Sequence, residues 1–103
     1  MKKNNGLNRK QWMVLIQQSI NELTQQQAIL LKRGDLFGEK ERGTYRFIYD
    51  ELCKLLTDTL AERDLQEMHR YLQVSVFMPN ESFLMDLFET NHFPLLFELF
   101  EYE

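Results

Sequence analysis

The residues that could do chemistry in this chain are few and poorly spaced for it. His69 and His92 are the only histidines, and neither has the His or Cys partner four residues away that a zinc site on a helix needs. Cys53 is the single cysteine, so no internal disulfide can form and a reducing compartment fits best. With Leu52, Leu55 and Leu56 around it, that thiol reads as a small buried hydrophobe rather than a nucleophile. Carboxylates pair at Asp50 and Glu51, Glu62 and Asp64, and Asp86 and Glu89. Those spacings suit solvated helix faces better than an acid–base couple. No glycine-rich phosphate loop, nucleophile elbow or dinucleotide fingerprint is present. The reading is of a protein that is not an enzyme and needs no cofactor or metal.

Charge is more informative. Residues 1–46 carry nine basic and four acidic groups, a net of 9 − 4 = +5, whereas residues 47–103 carry three and twelve, a net of 3 − 12 = −9. From Tyr71 onward there is no lysine or arginine, and six phenylalanines accompany six acids. A molecule polarised in this way is built for partners. In the basic half, Lys32, Arg33, Lys40, Arg42 and Arg46 gather around one helix junction and form a candidate phosphate grip. Asp35, Glu39 and Glu41 are threaded through it, and a Lys-Arg pair at a helix end compensates the helix dipole. Binding to duplex DNA at physiological salt is therefore not expected. In the acidic half, Phe93, Leu95, Phe97, Leu99, Phe100 and Tyr102 form a candidate protein interface, since aromatics dominate interface energetics and Asp86, Glu89, Glu98, Glu101 and Glu103 would rim it with charge.

These side chains must be positioned by helices. At 103 residues the chain is the size of one domain, and its apolar recurrences have helical steps. Asn8 is placed to cap a first helix whose stripe is Trp12, Leu15, Ile16, Ile20, Leu23, Gln27, Leu30 and Leu31. Gly34 suits its left-handed end. A second helix is predicted from about Glu39 to Ala61, with Tyr45, Ile48, Leu52, Leu55, Leu56 and Thr59 on one side. Asp64 with Glu67 resembles a capping box for a third helix, with Leu65, Met68, Leu72 and Val76 inward, that ends before Pro79. Asn80 should cap a fourth helix reaching Thr90, Asn91 should close it, and Pro94 belongs in the first turn of a fifth. The fold expected is an all-α, single-domain bundle of four or five helices over residues 8–103, with 1–7 as a flexible basic N-terminus. No apolar run approaches the roughly 20 residues of a membrane span, and Met1-Lys2-Lys3 leads into Asn4-Asn5-Gly6 rather than a signal-peptide core. A cytoplasmic location is the expectation.

Ala28 to Gly34, then Tyr49-Asp50-Glu51-Leu52, then Leu84 to Phe100 with its Phe88-Glu89-Thr90-Asn91-His92-Phe93 turn, resemble the YhaI-like family of small all-helical bacterial proteins of unknown function. The likeness spans about residues 28–102. It implies an α-helical fold and a bacterial cytoplasmic setting, and carries over no catalytic residue.

The functional expectation is a small, bacterial or phage-encoded, cytosolic interaction protein. It docks a partner, a basic protein or a second copy of itself as a homodimer, through the acidic aromatic surface of its last helices. Two alternatives stand beside it: an inhibitor or immunity factor that blocks a basic protein by charge mimicry, and a nucleic-acid-binding regulator using the basic corner.

Overall fold

Asn8 opens the first helix as expected: its Oδ1 accepts the backbone N–H of Lys10 at 2.8 Å and of Gln11 at 3.3 Å. The computed structural model describes residues 8–33 and 38–102, with side chains described for 8–27 and 38–102. Expectations for residues 1–7, for the side chains of Leu30 and Leu31 and for Gly34 fall outside these residues. Helix α1 runs Arg9–Arg33 and α2 Glu39–Leu60. Then come α3, Leu65–Tyr71, a π turn over Leu72–Phe77 and a 3-10 turn over Met78–Asn80. They lead into α4, Glu81–Glu89, and α5, Pro94–Phe100. Among the described residues there is no strand, and the fold is an all-α bundle.

The stripes become the core. Trp12, Leu15, Ile16 and Leu23 of α1 meet Tyr45, Ile48, Leu52 and Leu55 of α2 and Met68, Leu72 and Val76 of the third helical segment. Gln27, placed on the α1 stripe by its spacing, is exposed instead. One polar chain crosses this core: Trp12 Nε1 donates to Thr59 Oγ1 at 3.0 Å, and that hydroxyl donates to Leu55 O at 2.7 Å. Pairing satisfies polar atoms that would otherwise cost free energy when buried.

Helix α2 ends in a Schellman closure, with Arg63 N–H on Asp58 O and Glu62 N–H on Thr59 O, both at 3.0 Å. Glu62 takes the left-handed position at φ 62°, where glycine is the usual residue. Arg9 reaches across from α1 to donate to Thr59 O at 3.3 Å and Arg63 O at 2.9 Å. A cation thus sits at the negative end of the α2 dipole.

Two expected caps are corrected. Asp64 and Asn80 occupy N-cap positions, but neither side chain bonds a helix N–H. Asn80 Nδ2 instead donates to Val76 O at 2.8 Å, satisfying a carbonyl in the turn before Pro79, which brings no N–H of its own. Regular α geometry stops at Tyr71, and Met78 N–H bonds to Gln73 O five residues back. The widened turn keeps the chain helical up to the proline, with Met78 itself at φ −59°, ψ −46°. Asn91 closes α4 in the left-handed region at φ 63° and Pro94 opens α5, both as expected.

Candidate docking surface

Helix α5 is held at both ends by side chains from other helices. At its start, Glu22 of α1, only 7% exposed, accepts the N–H of Leu95 on Oε1 at 3.0 Å and of Leu96 on Oε2 at 2.9 Å. Ser19 Oγ donates to Leu95 O at 3.3 Å. At its end, Gln73 Nε2 donates to Phe100 O at 3.2 Å, and His69 Nε2 lies 2.8 Å from Tyr102 O. A carbonyl can only accept, so Nε2 carries the proton there. A carboxylate at the N-terminus and donors at the C-terminus both follow the helix dipole.

This clamp decides which of the six predicted interface residues are available. Phe93 and Leu99 are corrected: both are core, at 1% and 0% exposure. The clamp turns Phe93, Leu96 and Leu99 inward, and Phe93 packs edge-on to Tyr45 with centroids 6.4 Å apart. Leu95, Phe100 and Tyr102 are partly buried. Tyr102 stacks against Trp12 and His69 at 5.8 Å from each. Phe97 alone of the six is exposed, at 38%. It caps a ladder of rings in which Phe88 lies 5.0 Å from Phe97 and 5.4 Å from Phe100, and Phe100 lies 5.5 Å from Phe77. Edge and tilted contacts at these separations are the favourable aromatic arrangements.

The exposed charged residues of the helices that carry this ladder are acidic. Glu98 and Glu101 on the helix segment of Phe97, and Asp86 and Glu89 on α4, are exposed, as is Met85, one turn before Phe88. None of these four carboxylates takes part in an ion pair among the described residues. From 72 to 102 there are five acids and no lysine or arginine. Beyond this face, an open groove of about 660 Å³ runs between α1 and the end of the chain, with Val14, Leu15 and Tyr102 among its walls and Lys10 and Glu98 beside them.

The basic corner is a different place. Lys40, Arg42 and Arg46 are exposed along the first turns of α2, and Arg46 Nε bonds Asp50 Oδ1 at 3.3 Å. The side chains of Lys32 and Arg33 lie outside the described residues. The five are thus not shown to converge.

Among the groups with chemistry to offer, His92 and Cys53 are partly buried. Asp50 is held by Arg46, while Glu51 accepts the Tyr71 hydroxyl at 2.7 Å. That hydrogen bond raises the Tyr71 pKa above its ordinary value. Burial, with Glu22 and Tyr49 nearby, raises that of Tyr45, and its hydroxyl donates to Leu23 O. Among the described residues, no group of three or more His, Cys, Asp and Glu could hold a metal ion, and no helix is long and apolar enough to cross a membrane.

Glu22 is the functional-looking residue that sequence reasoning missed. Its signal was present: it is the only acid in α1 and stands seven residues after Leu15, on the inward stripe. Compared with family models, curated proteins and solved structures, the chain matches none.

Proposed function

We infer that this is a non-catalytic protein–protein interaction protein that docks a basic partner on the face around Phe97. One observation supports this reading above the others: an aromatic ring left exposed at the head of a packed ladder, on helices whose exposed carboxylates form no ion pair among the described residues. An apolar anchor ringed by charge of one sign gives affinity at its centre and selectivity at its rim. Met85 supplements the anchor, and Phe88 and Phe100 support it from beneath. The resemblance of residues 28–102 to the YhaI-like family supports a bacterial cytoplasmic setting.

Inhibition of a basic protein by charge mimicry is the second reading, favoured by the same exposed carboxylates. The two differ in their dependence on Phe97. Docking needs the ring, whereas mimicry needs the charges and is lost with salt. The chain used as bait in a bacterial lysate, beside Phe97→Ser and an Asp86→Asn, Glu89→Gln, Glu98→Gln, Glu101→Gln variant, separates them. Docking predicts a basic protein retained by the wild type and lost by Phe97→Ser. Retention by Phe97→Ser, with loss by the neutralised variant, would point to mimicry. Identical capture by all three would overturn both.

A further inference from the structure

A second set of exposed apolar side chains lies on α2 and on the segment from Tyr71 to Met78. Phe47, Tyr71, Val74 and Met78 are 41%, 37%, 52% and 63% exposed, half of the large exposed hydrophobics of the described chain. They belong to one side of the bundle. Phe47, Glu51 and Lys54 share a stripe of α2, at steps of four and three residues, and Tyr71 is tied to that stripe through its hydroxyl on Glu51, 2.7 Å away. Lys54 Nζ sits 5.4 Å from the Tyr71 ring centroid. Because α2 and α3 are joined by a short turn and run in opposite directions, Phe47, one turn before Glu51, comes on the side of the residues one turn and more after Tyr71. Those residues are Val74 and Met78. The π turn contributes, for it keeps Leu72, Val76 and Phe77 buried while leaving Val74 outside.

Charge says what can cover this face. Residues 46–54 and 67–78 carry three bases (Arg46, Lys54, Arg70) and three acids (Asp50, Glu51, Glu67), so 3 − 3 = 0. Nothing here selects a nucleic acid, an anionic surface or a strongly charged protein. Each copy of the chain carries −4 in total, and two acidic faces brought together would set four carboxylates against four. The neutral face is where two copies meet without that repulsion, and its mixed charges can pair across a two-fold axis, as an isologous contact requires. We propose that the α2–α3 face, centred on Phe47, Tyr71, Val74 and Met78, is a homodimer interface.

The size of the face sets the strength. The 9 and 12 residues of 46–54 and 67–78, at about 1.5 Å of rise each, give a footprint of roughly 18 by 20 Å. That is modest beside the roughly 800 Å² per partner of a standard interface. The dimer is therefore reversible, forming over tens to hundreds of micromolar.

Sedimentation equilibrium from about 10 to 500 µM tests this, on the wild type, Val74→Glu/Met78→Glu and Phe97→Ser. Circular dichroism checks that each remains helical. The proposal expects the wild-type mass to rise toward twice 12.5 kDa with concentration, Phe97→Ser to follow it, and the double variant to stay at the monomer mass. Should the double variant lose its helical spectrum, Val74→Ser/Met78→Ser is read in its place. A wild type monomeric throughout, or a dimer abolished by Phe97→Ser and untouched by the α3 substitutions, would overturn it.

Discussion

Glu22 in α1 and Leu96 in α5, 74 residues apart in sequence, are joined by a hydrogen bond of 2.9 Å from the Leu96 N–H to the buried carboxylate. Its second oxygen takes the N–H of Leu95, so one side chain satisfies two of the free donors at the start of α5. This clamp fixes the rotation of the helix and thereby separates the side that fills the core from the side that reaches water. Glu22→Ala should strand one buried and one part-buried N–H group and destabilise the fold by about 2–4 kcal/mol, measured by urea unfolding. Glu22→Gln, which keeps one acceptor, should lose about half as much.

Thr59 bridges the Trp12 indole to the α2 backbone. Thr59→Val keeps the shape and removes the acceptor, leaving a buried indole N–H unpaired at a cost of about 1–3 kcal/mol. The Trp12→Phe, Thr59→Val double variant removes donor and acceptor together. It should be less destabilised than the two single changes summed, which a double-mutant cycle reads directly.

Glu62 holds a left-handed conformation at φ 62°, which costs a side-chain-bearing residue about 1–2 kcal/mol. Glu62→Gly relieves that strain and adds some freedom to the unfolded chain. The expected net gain is about 0.5–1 kcal/mol, or roughly 2–6 °C in Tm by calorimetry.

Tyr45 is an acid whose folded pKa lies above its ordinary value of 10.0, chiefly because burial disfavours the phenolate. The folded state therefore keeps its proton where the unfolded state loses it. Its stability contribution is intact below pH 10 and falls as pH rises beyond that value. Tyr45 should ionise only together with alkaline unfolding, followed by ultraviolet absorbance. Tyr45→Phe should lack that step.

Much of the fold was legible because its signals are local. The Asn8 cap, the α1 and α2 stripes, the left-handed Asn91 and Pro94 at the head of α5 each depend on a few neighbouring residues. The rotation of α5 was not legible. Its sequence is apolar on two sides, with Phe93, Leu96, Phe97 and Phe100 on one and Leu95, Leu99 and Tyr102 on the other, and the inward set of Phe93, Leu96 and Leu99 cuts across both. What decides it is Glu22, Ser19, His69 and Gln73, between 27 and 76 residues away in sequence. The Asp64 and Asn80 positions were readable, but not the hydrogen bonds they make, since the π turn before Pro79 gives Asn80 a different carbonyl to satisfy. Phe47, Val74 and Met78 are separated singletons in sequence, and only the antiparallel course of α2 and α3 gathers them on one face.

The measurement that bears most directly on the Phe97 docking face is the urea unfolding free energy of Phe97→Ser beside Phe93→Ala. Phe93 is sealed in the core, and its truncation should cost about 3–5 kcal/mol. Phe97, more than a third exposed at 38%, should cost only about 1 kcal/mol with the helical spectrum unchanged. A loss at Phe97 equal to that at Phe93 would make the ring part of the core and leave no aromatic anchor for a partner.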